Sequence, residues 1–192
     1  DMNTPATSPS GNVHGMPLAA SLGLGPDPLS RLCGFHPKVN PARTVIIGAR
    51  DIDPTEFEII DPSGVQLITI RETDERGMFS VMSEAIEYVL DGTAGFHVSL
   101  DMDALDPTVA PGVGTPVPGG LTYREAHLAL EMIADTARLV SMDVVEVNPM
   151  LDATNITART AVALITSAFG KRIIPRRAYR QRPEKNGREP AS

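Results

Sequence analysis

Two aspartates, Asp101 and Asp103, stand two residues apart where the strand-like segment 96–100 ends. Side chains alternate along a β-strand, so residues at this spacing point to the same side. Two carboxylates that close repel each other, and one pKa rises unless a cation lies between them. Carboxylate oxygens bind hard divalent cations, and added imidazole ligands favour manganese or a similar first-row metal. The spacing therefore indicates a metal site.

The aspartate pair also has structural explanations. Aspartates that follow strands often form turns, in which their carboxylates accept hydrogen bonds from backbone amides. A calcium-binding loop that starts at Asp101 is excluded, because Asp106 stands where glycine is required and Gly112 where the bidentate glutamate is required. Taken alone, the pair leaves a turn and a metal site as open alternatives.

The elements that would position the pair alternate between strand and helix patterns after a loop-like segment, 1–42. Strand patterns occupy segments 44–50, 65–70, 96–100 and 139–146. Helical patterns occupy segments 78–90, 122–138 and 157–170, the second opened by the capping box of Thr122 and Glu125. This alternation predicts an α/β fold with a parallel sheet. Ligands bind at the carboxyl ends of such strands, where Asp101, Asp103 and Glu146 fall.

Length and composition predict one globular domain that binds neither nucleic acid nor membrane. The 192 residues, 42% of them hydrophobic, suffice for one core. A net charge of -7 and 4% aromatic residues argue against a nucleic-acid binder. Cys33 is the only cysteine and no apolar segment is long enough to span a bilayer, so we expect a cytoplasmic protein. After residue 174 apolar residues are few, which predicts a disordered basic tail over 175–192.

Further motifs accompany the aspartate pair in segments 1–4, 8–17, 112–125 and 143–149. With them the sequence resembles the arginases, the manganese-dependent ureohydrolases that cleave L-arginine to L-ornithine and urea. The resemblance implies a three-layer αβα fold with a mostly parallel sheet, shared by arginases and histone deacetylases. It also implies a homo-oligomer, a trimer or hexamer, and two manganese ions per complete subunit.

The resemblance implies metal ligands as well, four aspartates and two histidines around a bridging hydroxide. Asp1, Asp101 and Asp103 match three of the aspartates, and the other three ligands have no counterpart in the chain. Asp1 corresponds to the last aspartate of a family motif, Asp-x-His-x-Asp-x-Asn. We therefore expect residues 1–174 to be a partial arginase domain, and we expect turnover from the full-length protein and not from this fragment alone.

By the same resemblance, the catalytic residues are His14, Glu146 and Asp103. A lone histidine beside a glycine is more often structural, but the segment Ser-Gly-Asn-Val-His-Gly matches the family's proton shuttle, so His14 would carry a proton to the departing amine. Glu146 would accept hydrogen bonds from the substrate guanidinium. Thr115 matches a residue that lines the same part of the site. The remaining histidines match no family role and are expected to be surface or packing residues: His36, His97 and His127.

Substrate choice within the family depends on the amino-acid end of the substrate. Asn3, Ser10 and Asn12 would offer neutral donors to an α-carboxylate, and Asp53 matches the region that meets the α-amino group. Such residues are otherwise common turn formers. Segment 8–14 resembles the arginase version of this loop and differs from that of agmatinases, whose substrate lacks the carboxylate. This favours arginine as the substrate.

Two alternatives remain open at this point. One is another ureohydrolase, such as an agmatinase or a guanidinobutyrase, which shares the metal motifs. The other is a catalytically inactive ureohydrolase-like subunit, which keeps the fold without the metals. The joint presence of Asp101, Asp103, His14 and Glu146 argues against the inactive subunit, because a protein without chemistry has no physical need for them together.

Overall fold

A computed structural model describes residues 1–172 of the chain. Residues 173–174 of the predicted domain and the predicted disordered basic tail, 175–192, lie outside the described residues. Among residues 1–172, no helix is both long enough and apolar enough to cross a bilayer.

The four strands that the sequence pattern predicted are formed within residues 1–172, in two two-stranded parallel sheets rather than one. They are β1 (Val45–Ala49), β2 (Gln66–Thr69), β3 (Phe96–Asp101) and β4 (Leu139–Val145). Strand β1 pairs with β2, and β3 pairs with β4, both in parallel. In the second pair Asp101 lies opposite Val145, so the carboxyl ends of β3 and β4 lie side by side. Residues that follow these two strands therefore emerge at a common edge.

Three longer helices confirm the helical patterns of the sequence: α5 (Met78–Leu90), α6 (Tyr123–Thr136) and α7 (Ile156–Ala168). The predicted capping box opens α6, because the Thr122 hydroxyl accepts a hydrogen bond from the Glu125 amide and the Glu125 carboxylate accepts one from the Thr122 amide. These two contacts satisfy amides that have no partner within the helix. They fix where α6 begins after the loop that follows β3.

Four of the α-helices within the described residues were not predicted. Two short ones, α1 (Pro17–Ser21) and α2 (Asp27–Ser30), interrupt the segment that the sequence indicated as loop. The other two are α3 (Pro54–Ser63) and α4 (Ile70–Arg76). Helix α3 contains Pro62 and few apolar residues, so it shows little helical periodicity. Helix α4 begins directly at the end of β2, without the turn residues that usually separate a strand from a helix.

The main hydrophobic core lies between the sheet and helices α5, α6 and α7. Its buried members come from separate parts of the chain and include Met82, Met102, Leu105, Leu130 and Leu164. A second cluster includes Met2, Leu22, Ile60 and Val65, and it anchors the amino-terminal segment on the part of the fold around β1 and α3. Burial of Met2 therefore holds the neighbouring polar residues of segment 1–15 near the strand ends.

Strands β3 and β4 share a polar face. On it, His97 Nδ1 lies 2.8 Å from Ser141 Oγ and His97 Nε2 lies 3.0 Å from Asp143 Oδ2. Ser99 Oγ donates to Asp143 Oδ1 over 2.7 Å. The sequence predicted His97 to be a surface or packing residue, and the structure places it on this exposed face.

Candidate active site

The aspartate pair lies where β3 passes into a short 3-10 helix, Met102–Ala104. Asp101 ends the strand, and its Oδ1 accepts a hydrogen bond from the Asp103 amide over 3.0 Å. Asp103 stands beyond the strand, so the turn brings the two residues together and strand alternation does not. Because each carboxylate has two oxygens, the turn and a metal site are compatible.

Electrostatics at the pair agree with a site for a cation. Burial is the main reason that the pKa of Asp101 is raised to about 6. The Asp103 amide lowers this pKa, whereas the nearby carboxylates of Asp103 and Glu146 raise it. A divalent cation would offset the repulsion among the three carboxylates and would favour the ionised form of Asp101.

The loop that follows the pair connects Asp103 with Glu146. The Thr115 hydroxyl donates to Asp103 Oδ2 over 3.0 Å. A side-chain carbon at Gly114 would stand 3.3 Å from Glu146 Oε2, so the glycine allows the loop to approach that carboxylate closely. The structure therefore places Thr115 beside the aspartate pair and the neighbouring loop backbone against Glu146.

His14 and Glu146 meet although they are far apart in the chain. His14 Nδ1 lies 3.4 Å from Glu146 Oε1, and the two side chains are 49% and 23% exposed. His14 belongs to a short 3-10 helix, Val13–Gly15, and Glu146 follows β4. Glu146 has a φ of 62°, a left-handed conformation that is uncommon for residues other than glycine. Such strain is often found at functional sites, where the surrounding structure holds it.

Asn3 and Asp53 also meet. Asn3 Nδ2 donates to Asp53 Oδ2 over 3.3 Å, and Asn3 Oδ1 accepts from the Thr7 hydroxyl over 3.0 Å. Asn3 is buried, so its amide is largely used by the fold. The contact with Asp53 uses one of the two N–H groups of this side chain.

Ser10 and Asn12 lie together in an exposed turn. Ser10 Oγ accepts from the Asn12 amide over 3.2 Å, and Ser8 Oγ accepts from the Gly11 amide over 2.9 Å. These hydrogen bonds shape the turn by side-chain capping of backbone amides. Both predicted ligand-binding side chains are therefore at the surface, on the segment that leads into His14.

Asp1 lies near the His14 turn. Its Oδ2 would be 3.6 Å from a side-chain carbon at Gly15. Within the described residues, no group of three His, Cys, Asp or Glu side chains is close enough to hold a metal ion. The structure thus brings Asp101 and Asp103 together, and the predicted assignment of Asp1 as a third ligand stays a prediction.

The side chains of the pair fit a divalent cation. Asp101 and Asp103 provide carboxylate oxygens, Thr115 orients one of them, and the raised pKa of Asp101 shows that its surroundings disfavour an unpaired negative charge. Oxygen donors of this kind suit hard or borderline ions such as magnesium and manganese. The pair alone provides part of the coordination that such ions require.

Sequence reasoning missed Arg50 as a member of this region. It directly follows β1, and its guanidinium donates to the backbone carbonyls of Asp103 and Val117 over 2.6 and 2.7 Å. An arginine directly after a predicted strand, where ligands bind in α/β folds, was the signal that could have found it.

Acidic side chains at the carboxyl ends of β3 and β4, with His14 beside them, define the class: an α/β protein whose ligand site lies at the carboxyl edge of a parallel sheet. The Arginase family profile matches residues 1–170. The chain therefore belongs to the arginase family.

Individual relatives agree with this membership. An arginase from Brevibacillus brevis is 56% identical over 174 residues, which cover 91% of this chain and 58% of the relative. The solved arginase of Bacillus caldovelox superimposes with a TM-score of 0.88 at 53% identity, covering 90% of this chain and 58% of that one. An arginase of Entamoeba histolytica in complex with L-ornithine matches with a TM-score of 0.81 at 34% identity, covering 88% of this chain and 57% of that one.

The solved structures confirm the predicted three-layer αβα fold with a mostly parallel sheet. The chain spans 58% of the length of the Brevibacillus and Bacillus arginases that it matches. The fold and the family are therefore established over the matched residues.

Proposed function

We propose that this chain contributes to an active site that hydrolyses L-arginine to L-ornithine and urea with two manganese ions. The observation that carries the proposal is the arrangement at the sheet edge, where Asp101, Asp103 and Thr115 adjoin the contact between His14 and Glu146. Membership of the arginase family supports the same reaction. The arrangement would combine cation ligands, a carboxylate for a cationic substrate and an imidazole.

The chemistry requires a strong nucleophile at neutral pH, because resonance stabilises the guanidinium carbon. When bound, manganese lowers the pKa of a coordinated water and so supplies that nucleophile. Asp101 and Asp103 would hold the metal, and the hydrogen bond from Thr115 keeps the Asp103 carboxylate in one orientation. Asp1 would add a further ligand. Orientation by such a second contact is common at protein metal sites.

Glu146 and His14 would act on the substrate. The Glu146 carboxylate accepts hydrogen bonds from the guanidinium and so aligns its carbon with the nucleophile. His14 lies beside Glu146 and is half-exposed, so its imidazole is open to solvent. It would deliver a proton to the amine of the departing ornithine, a task suited to imidazole.

Recognition of the amino-acid end would fall to the amino-terminal segment. Asn3 keeps one N–H, and the exposed turn of Ser10 and Asn12 adds donors for the α-carboxylate, with Asp53 near the α-amino group. The Entamoeba arginase was solved in complex with L-ornithine, the amino-acid product of this reaction. On the family resemblance we also propose a cytoplasmic homo-oligomer, a trimer or hexamer.

The test measures manganese content and urea release from L-arginine and from agmatine. It uses the 192-residue chain and the longest product of the same gene. We expect the longer product to bind about two manganese ions per chain and to release urea from arginine, and the 192-residue chain alone to show no turnover, since three expected ligands are missing from it. A preference for agmatine would contradict the arginine assignment, and absence of metal binding would overturn the enzyme proposal.

Glu146→Gln tests the substrate role separately from metal binding. The change removes the negative charge and keeps the size, so we expect urea release to fall about 100-fold, the effect of losing a charged hydrogen-bond partner. Manganese content should stay unchanged. Glu87→Gln, on the exposed side of α5, is the matched control and should leave both quantities unaltered. Equal urea release from both variants would contradict the role of Glu146.

A further inference from the structure

The side chain of Arg50 joins three backbone carbonyls around the aspartate pair. Its Nη2 donates to Asp103 O over 2.6 Å and to Val117 O over 2.7 Å. Its Nε donates to Val117 O over 3.2 Å, and its Nη1 donates to Ala104 O over 3.4 Å. One guanidinium thus connects the end of β1, the turn after β3 and the loop that follows that turn.

These contacts surround the hydrogen bond between Thr115 and Asp103. Arg50 holds the Asp103 carbonyl on one side of that bond and Val117, two residues after Thr115, on the other. The backbone of the carboxylate and the backbone of its hydroxyl donor are therefore held by the same group. A shift of either backbone would rotate the Asp103 carboxylate away from the oxygen arrangement that a metal requires.

The guanidinium suits this task better than an ammonium group would. Arginine presents its donors in a rigid planar fork, whereas lysine carries a point charge on a flexible stem. All four hydrogen bonds of Arg50 run to backbone carbonyls of the turn and the loop. The side chain is partly buried, so its contacts are less exposed to competition from water than those of a surface arginine.

We propose that Arg50 is a positioning residue for the metal site, which orients Asp103 by holding the turn 102–104 and the Thr115 loop in one arrangement. This inference rests on the proposed function, because it assumes that Asp103 binds the metal. A purely structural role would lower stability alone, whereas a positioning role also weakens metal binding in protein that remains folded.

The experiment compares manganese affinity, measured by calorimetric titration, in wild type, Arg50→Met, Arg50→Lys and Arg43→Met. It uses the longest product of the gene. Arg43 is the matched control, because it precedes β1 at the opposite end and donates to Asp91 O and Asp91 Oδ2. Metal-free thermal unfolding of each variant gives the change in stability.

We expect Arg50→Met to raise the manganese dissociation constant about 10- to 100-fold, the usual effect of removing a residue that orients a ligand. Arg50→Lys should keep the charge without the fork and raise the constant about threefold to tenfold. Arg43→Met should lower the unfolding temperature by a similar amount to Arg50→Met, because both lose hydrogen bonds that join separate segments, yet leave the constant unchanged.

A dissociation constant within twofold of wild type in folded Arg50→Met would overturn the inference. If that variant does not fold, Arg50→Lys decides in the same way, since it retains the side-chain volume and charge. Wild-type protein that binds no manganese would overturn the proposed function, and the inference with it. If wild type binds manganese and the folded Arg50 variant binds it with the same dissociation constant, the inference alone is overturned.

Discussion

At the scale of single residues, each carboxylate of the pair accepts a hydrogen bond that shapes the fold and keeps capacity for a ligand. Asp101 uses Oδ1 for the Asp103 amide, and Asp103 uses Oδ2 for the Thr115 hydroxyl. Each retains acceptor capacity, because a carboxylate has about four lone-pair positions. The turn and the metal site, which remain alternatives when the sequence is considered alone, are thus consistent in one structure.

The hydrogen bond from Thr115 gives a residue-scale prediction. Thr115→Val removes the hydroxyl that donates to Asp103 Oδ2 and keeps the shape, so the carboxylate gains freedom to rotate. We expect manganese affinity to fall about 10-fold, the lower end of the range for outer ligand contacts. The measurement is a manganese titration of folded protein.

Thr108→Val is the control for that substitution. Thr108 donates through its hydroxyl to Asp106 Oδ1, so the same chemical group is removed from another aspartate of the same loop region. Manganese affinity should not change in this variant. If Thr115→Val, Thr108→Val and wild type bind manganese with equal affinity, the Thr115 contact does not orient a metal ligand.

At the scale of elements, helices α6 and α7 pack around a buried histidine. His127 Nδ1 lies 2.8 Å from Ser167 Oγ, and the Tyr123 ring lies 4.3 Å from the imidazole, centre to centre. The buried Nε2 has no hydrogen-bond partner among the described residues. Burial lowers the pKa of His127; Arg124 and Lys171 lower it further, whereas Glu131 raises it. The sequence predicted that His127 is a surface or packing residue, and in the structure it is a buried packing residue.

This lowered pKa predicts that acid destabilises the protein. The unfolded chain binds a proton at His127 near the ordinary value of 6.5, whereas the folded chain resists protonation until a lower pH. The unfolded state therefore binds more protons in that interval, and the free energy of unfolding falls as pH decreases below 6.5. Denaturant unfolding between about pH 5 and pH 8 measures this dependence.

His127→Gln should flatten the dependence in that interval, because glutamine does not titrate there. His36→Gln, at an exposed loop position, serves as the comparison and should retain the wild-type slope. If the slope of His127→Gln equals that of wild type below pH 6.5, burial of His127 does not control the acid sensitivity.

At the scale of the whole molecule, one hydrophobic cluster unites elements that lie far apart in the chain. Leu164 of α7 is fully buried and belongs to the same cluster as Met102 and Leu105, which flank Asp103. Packing against α7 therefore supports the turn that carries the aspartate pair. Cores pack to near-crystalline density, so they transmit such constraints.

Leu164→Ala tests this support. Truncation leaves a cavity in the core, and we expect the free energy of unfolding to fall by about 2–5 kcal/mol. Val162→Ala is the control on the same helix, because Val162 is 61% exposed and should change stability by less than about 0.5 kcal/mol. Guanidinium unfolding measures both values. If the free energy of unfolding changes by a similarly small amount in both variants, packing of Leu164 does not stabilise the core.

Much of the fold could be predicted because local signals agree with the final structure. The apolar spacing of α5 predicted its bounds, Met78–Leu90, and the capping box of Thr122 and Glu125 located the start of α6. The same type of box, Thr69 with Glu72, opens α4 and was the overlooked signal for that helix. Helix α3 lacks periodicity, so tertiary contacts decide its conformation.

For the candidate site, the sequence offered candidate residues, whereas few of the contacts between them could be predicted. Asp101 and Asp103 were recognised from their spacing, yet the spacing argument assumed a strand where the chain turns. Amino-acid order alone sets side-chain chemistry, local periodicity and the motifs of the arginase family, because these depend on neighbours within a few residues. The tertiary structure decides that His14 meets Glu146 and that Arg50 reaches the Asp103 carbonyl, because these contacts require the strands and loops to pack together first.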